Sequence, residues 1–300
     1  MRPWYRAPPV RWPPMRLVRF EMGDSIRPGT PVGDEIVDLS PIAHSMEALI
    51  ARGRTVVEAI EAQFEALPRQ PEADARILAP LQPASLRDFL AFEDHAKAGA
   101  ARRGEDLNPA WYEMPVYYKG NHRSILGPDE PLAWPTWTEK LDFELEVACI
   151  VGARGRDLTE QEAERAIFGY TVMNDWSARD VQRSEMAMRL GPAKSKDFAT
   201  SLGPCIVTAD EFSPEDGLSM RARVNGETWF ETTGARMHWT FPQMVAYVSR
   251  SEDVFPRDVY GSGTAYGGCG LDQDRWLPRG AMVELEIDGL GTLRTELVDP

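Results

Sequence analysis

The sequence predicts a strand-rich α+β protein, with a small N-terminal α+β unit ahead of a larger β-rich one. Three observations predict it. Short apolar or alternating runs recur at 17–20, 35–39, 143–151, 168–173, 220–224, 227–231 and 283–287, and runs of this length bounded by turn residues read as strands. Helical spacing is confined to a few stretches, at 45–50, 55–67, 85–97 and 159–167. The 300 residues, 43% of them hydrophobic, supply core for one large domain or for a small one plus a larger one.

In chain order, residues 1–14 are Pro-rich and basic, and no apolar run of a secretory signal follows them. They read as an extension ahead of a small domain over 15–80, and the larger β-rich unit spans 81–300. In the small domain, strands at 17–20 and 35–39 flank a Gly/Pro loop and are followed by two helices. The 85–97 stretch has helical spacing, with Ser85 as a cap and Asp88 in a capping-box position, although a ligand role for Asp88 stays open. The charged, Gly-containing loop 100–108 is a candidate lid. At 143–148 the sequence alternates: Phe143, Leu145 and Val147 fall on one face, and Glu144, Glu146 and Ala148 on the other. A second buried strand, 168–173, ends at Asn174-Asp175, and Ser177 is the expected N-cap of a helix carrying Arg179 and Gln182. Thr159 and Glu162 form a capping box. Asn225-Gly226 between two strand-like runs signals a hairpin. The Gly-rich loop 260–268 matches neither a Walker loop nor a dinucleotide turn.

Charge and composition exclude several functions. With 47 acidic and 33 basic residues the formal charge is −14, so nucleic acid is not the expected partner, because phosphate binding needs a basic face. No apolar run approaches the roughly 20 residues of a membrane span. Cys149, Cys205 and Cys269 are scattered and show no disulfide or zinc spacing. A cytoplasmic setting is the default expectation.

Glu144 and Glu146 point the same way near a core, where two carboxylates repel and resist desolvation. Asp175, at a strand end, adds a third. An all-oxygen set suits one Mg²⁺, Mn²⁺ or Ca²⁺ rather than Zn²⁺. Arg179 and Gln182 share a helix face, and Lys196 follows a Gly-Pro turn; a guanidinium, an amide and an ammonium near a divalent ion suit a small anionic, oxygen-rich substrate.

The Glu-x-Glu pair, the Asn-Asp-Trp-Ser-Ala-Arg-Asp-x-Gln run at 174–182 and the Gly-Pro-x-x-x-Lys-x-Phe turn at 191–198 resemble the fumarylacetoacetate hydrolase family. Spacing agrees: Asp175 lies 29 residues after Glu146, and Arg179, Gln182 and Lys196 follow at 4, 7 and 21 residues. The resemblance runs from about residue 87 to the C-terminus. It implies a catalytic domain of mixed sheets in a roll or distorted barrel. It implies His95 as general base, for which imidazole is apt because its ordinary pKa lies near working pH. It further implies Glu284 as the acid partner of His95, Tyr118 and Thr264 as substrate contacts, and a homodimer. The acid three residues after the histidine in smaller members is here Ala98. The expected reaction is hydrolytic cleavage of a C–C bond in a β-diketo or acylpyruvate-type acid, with Lys196 and Arg179 neutralising developing charge. The alternative is decarboxylation, isomerisation or hydration of a 2-oxo acid through the same enolate chemistry.

Overall fold

The Leu145–Val151 strand is buried along its whole length because it lies inside a sheet that is covered on both faces. The computed structural model describes residues 15–300; the Pro-rich segment 1–14 lies outside the described residues. Among these, a 12-stranded and a 5-stranded sheet hold most of the strands. In the larger sheet, Leu145–Val151 pairs antiparallel with Ile167–Asp175 on one side and with Asp258–Gly261 on the other. Ile167–Asp175 pairs onward with Thr200–Thr208. Asp258–Gly261 pairs in parallel with Ser85–Phe89, which pairs with Tyr117–Gly120.

Alternation along Leu145–Val151 sends side chains into two cores. Val147, Cys149 and Val151 join Met220, Ala222 and Leu285 of the smaller sheet and Phe241 and Met244 of the Phe241–Val248 helix. Ala148 and Ile150 join Leu17, Leu39, Met46, Leu49 and Ile60 of the N-terminal unit. Burial on both faces explains why the strand reads as a continuous apolar run beyond Glu146. The N-terminal unit adds strands to the same sheet, since Arg16–Met22 pairs with Thr200–Thr208.

The strand-rich α+β expectation is met, and the sheets stay open, with no closed barrel among the described residues. The hairpin forms between Leu218–Val224 and Glu227–Ala235, with Asn225 and Gly226 both at positive φ, as its tight turn requires. Three local expectations are corrected. Residues 85–97 are not one helix: Ser85–Phe89 is a strand, and the helix is Glu93–Ala101. Leu86, Arg87, Asp88 and Phe89 are all buried, and pairing with two neighbouring strands overrides the local helical spacing. The helix expected over 55–67 ends at Glu61, with a separate 3₁₀ turn at Phe64–Ala66. Ser177 does not cap Arg179–Ala187; Ala178 holds that position, and the Ser177 hydroxyl donates to the Asp175 carbonyl.

The capping box at Thr159 and Glu162 is present on the Glu160–Ala166 helix. Thr159→Ala is expected to lower the unfolding free energy by about 1 kcal/mol, read from urea melts monitored by circular dichroism; an unchanged midpoint would contradict a capping role.

Candidate active site

Strand register builds the site. Asp88 stands opposite Tyr118 on one side and Gly261 on the other, and Gly261 stands opposite Ala148. The ends of these strands meet the end of Ile167–Asp175 and the start of Leu145–Val151, which bring Asp175 and Glu146. Glu144 lies just ahead of that strand, held through its N–H to Asn174 Oδ1 at 3.0 Å and by the Asp175 N–H on its carbonyl. One carboxylate oxygen from each of Asp88, Glu144, Glu146 and Asp175 lies within 4.8 Å of the others, and all four residues are buried.

Two buried cations face this cluster. Lys196 Nζ donates to Glu144 Oε2 at 2.6 Å and to Asp175 Oδ2. Arg179 donates to Glu144 Oε1 at 2.7 Å, to Asp142 Oδ2 at 2.8 Å and to Gln182 Oε1 at 3.0 Å. The Tyr118 hydroxyl donates to Asp175 Oδ2 at 2.7 Å. The structure thus gathers Tyr118, Glu144, Glu146, Asp175, Arg179, Gln182 and Lys196 in one place, and adds Asp88.

The carboxylates divide by environment. Burial opposes ionisation of Glu144, but Lys196 and Arg179 overcome it and hold this carboxyl well below its usual range. Burial, then the charges of Asp88, Asp175 and Glu144, push Glu146 well above it. Burial and the Asp175 charge do the same to Asp88. Burial also raises Asp175, against the pull of Lys196. Burial disfavours the Lys196 ammonium, yet Asp175 and Glu144 keep it charged beyond the ordinary lysine range.

Three features fit a divalent cation among these acids. Glu146 Oε1 and Asp175 Oδ1 are buried without a hydrogen-bond partner among the described residues, which is costly unless something positive meets them. Gly261 leaves the space clear: a Cβ there would stand 2.4 Å from Asp88 Oδ1 and 2.8 Å from Glu146 Oε2. The donor set is all oxygen, the choice of a hard cation.

His95, on the Glu93–Ala101 helix, bonds Asp272 Oδ2 through Nδ1 at 2.8 Å. Asp272 is held in turn by the Gly267 N–H at 2.9 Å and by Arg102 at 2.8 Å. Burial opposes its ionisation, but the His95 bond and charge hold it below the usual range. In the neutral ring an acceptor on Nδ1–H leaves the lone pair on Nε2, and in the protonated ring both nitrogens donate. The imidazole is near enough to the acids for its charge to bear on Glu144, and Cys269, beside it, is backbone-bridged to Glu144.

The expected partner Glu284 is corrected to Asp272. Glu284 lies in the Met282–Ile287 strand of the smaller sheet, opposite Arg223 and Arg294, while the His95 ring bonds Asp272. Thr264 is buried, and its hydroxyl donates to the backbone carbonyl of Leu145 at 3.0 Å or Ala265 at 3.3 Å, anchoring the Gly-rich loop. Sequence reasoning missed Asp142, whose carboxylate accepts from Arg179 and from the N–H groups of Gly270 and Leu271 at 2.8 and 3.0 Å. The signal was there: Asp142, Glu144 and Glu146 recur at every second position.

A strand-rich sheet carries a buried acid cluster at its strand ends with a carboxylate-bound imidazole beside it, the parts of an enzyme active site. Residues 85–298 match the sequence profile described as fumarylacetoacetate (FAA) hydrolase C-terminal, so the chain belongs to the fumarylacetoacetate hydrolase family. It is similar to the mitochondrial oxaloacetate tautomerase fahd2 of Xenopus laevis, 28% identical over 299 residues, covering 95% of this chain and 90% of that protein. It is also similar to a fumarylacetoacetase of Oryza sativa subsp. japonica, 37% identical over 259 residues, covering 67% of this chain and 60% of that one. The solved structure of fumarylacetoacetate hydrolase from Exiguobacterium antarcticum superposes with a TM-score of 0.80 at 28% identity, covering 95% of this chain and all of that one (100%). No helix of the described residues is long and apolar enough to cross a membrane.

Because burial and neighbouring acids push Asp88 and Glu146 up, protons compete with a cation for these carboxylates. Mn²⁺ binding is therefore expected to release protons, and its affinity to fall as pH is lowered from about 7 to about 5. Calorimetry in two buffers of different ionisation enthalpy reads the release; identical heats in both buffers would contradict it.

Proposed function

We propose that the chain is a divalent-cation-dependent hydrolase that cleaves a C–C bond in a β-diketo or acylpyruvate-type acid. The observation that carries this reading is the adjacency of two devices from distant parts of the sequence: the buried acid cluster and the His95–Asp272 pair. Glu144, Glu146 and Asp175, with Asp88 beside them, are the residues that would hold Mg²⁺ or Mn²⁺, which when bound supplies electrophilic polarisation to carbonyl and carboxylate oxygens.

The chain's own groups do the rest. His95 accepts a proton from water at Nε2, and Asp272 orients the ring and stabilises the imidazolium. The hydroxide adds to the distal carbonyl. The C–C bond then breaks, its electron pair passes to the carbon next to the 2-oxo carbonyl, and His95 returns the proton there. Lys196 and Arg179 offset the negative charge that develops. Gln182 and the Tyr118 hydroxyl orient the substrate, and Thr264 fixes the loop above it.

A second reading, keto–enol tautomerisation of a 2-oxo acid, uses the same imidazole to move a proton at carbon without adding water. It is favoured by the tautomerase relative that aligns over nearly the whole chain, and by Ala98 at the position where smaller members carry an acid. By likeness to the family, the protein assembles as a homodimer, which light scattering tests directly.

His95→Ala is expected to lower kcat by about 10²- to 10⁴-fold while Mn²⁺ affinity is retained; undiminished turnover would remove the imidazole from the reaction. Mass analysis of products from an acylpyruvate separates the readings. Hydrolysis gives two fragments that together gain one water. Tautomerisation leaves the mass unchanged in ordinary water and exchanges hydrogen for deuterium in heavy water.

A further inference from the structure

We propose that His95, Cys269 and Asp272 form a second metal site, one that takes a borderline-soft divalent cation of the Zn²⁺ type and silences the enzyme when filled. The silencing rests on the reading of His95 as the base; the binding does not. A ring nitrogen of His95, the Cys269 Sγ and a carboxylate oxygen of Asp272 lie within 4.8 Å of one another. A small side-chain adjustment closes such donors onto one ion with bonds of about 2.0 to 2.3 Å.

The three donors are brought together by the fold, not by local spacing. His95 projects from the Glu93–Ala101 helix, while Cys269 caps and Asp272 lies within the short Gly270–Gln273 helix. Asp142 clamps the start of that short helix through the Gly270 and Leu271 N–H groups. Cys269 is bridged to Glu144, and the Gly267 N–H fixes Asp272. Two donors are thus immobilised. The third, His95, has a side chain 12% exposed, whereas that of Asp272 is 0% exposed; the imidazole is the side from which a cation enters.

The chemistry of the donors separates this trio from the acid cluster next to it. The cluster offers carboxylate oxygens alone, which suit Mg²⁺ or Mn²⁺. The trio offers nitrogen, sulfur and oxygen, the mixture preferred by Zn²⁺ and Cd²⁺ and poorly matched to Mg²⁺. Three protein ligands leave the fourth position of a tetrahedral ion to water. Coordination releases the Cys269 thiol proton and, where Nδ1 is the ligand, shifts the proton it shared with Asp272 onto Nε2. Ligation at either ring nitrogen removes the base: at Nε2 the ion takes the lone pair directly, and at Nδ1 the ring is left with its proton on Nε2.

The test uses the full chain saturated with Mg²⁺ and Cd²⁺ as the probe, because a cadmium–thiolate bond absorbs in the ultraviolet. The wild type is expected to gain this absorbance at one equivalent. Cys269→Ala and Cys269→Ser are expected to lack it, while Cys149→Ala and Cys205→Ala keep it. In the same Mg²⁺ background Zn²⁺ is expected to inhibit the wild type, and the concentration for half-inhibition to rise at least about tenfold in Cys269→Ala. Absence of the band, or its survival in both Cys269 variants, overturns the site. A band without inhibition keeps the site and instead removes His95 as the base. Inhibition that excess Mg²⁺ relieves equally in wild type and variant places Zn²⁺ on the acid cluster and overturns the proposal.

Discussion

Four carboxylates, those of Asp88, Glu144, Glu146 and Asp175, are buried within reach of one another, and among the described residues Lys196 and Arg179 alone are bonded to them as cations. Arg179 is further shared with Asp142. Moving even one carboxylate out of water costs several kcal/mol after relaxation, so an excess of them is tolerated only if protons or a metal ion make up the difference. Much of the surrounding structure answers this demand. The Gly263 N–H donates to Asp88 at 3.2 Å and to Glu146 at 3.0 Å. Gly261 keeps a side chain out of the space between them. The sheet supplies the rigidity: strands from five separate stretches converge, and none of the acids sits on a free loop tip.

Asp142 ties the two halves of the site together. Its carboxylate holds the guanidinium of Arg179, which contacts Glu144, and the N–H groups that start the helix of Asp272, which contacts His95. A buried anion that satisfies a cation and backbone donors at once is a fixed post, because each partner lost would leave a buried charge or N–H unpaired. The cation side and the imidazole side are thereby held in one geometry although His95 and Glu144 come from different stretches of chain.

What the sequence made legible follows the range of the physics. Alternation over 143–148 and the strand end at Asp175 are local, and they announced Glu144, Glu146 and Asp175 with their strands. Helix spacing put Arg179 beside Gln182, which the 3.0 Å bond between them bears out. Asp88 was misread as part of a helix because the residues around it have helical spacing, and only pairing with strands 30 and 170 or so residues away makes that segment extended. Asp272 carries no local mark at all; its role comes from the packing of a short helix against a distant one. Glu284 sits in an alternating strand much as Glu144 does, but that strand belongs to the other sheet. Likeness to the family pointed to His95, which the structure places beside the acid cluster, and to Glu284, where the structure pairs His95 with Asp272 instead.

The measurement that bears most directly on the buried acid cluster is anomalous diffraction from crystals soaked in Mn²⁺. The account predicts one strong peak per chain enclosed by Glu144, Glu146 and Asp175, with the ammonium of Lys196 drawn off the carboxylate oxygens that the ion takes. A peak elsewhere, or none at saturating Mn²⁺ with the four carboxyls still packed against one another, would contradict it.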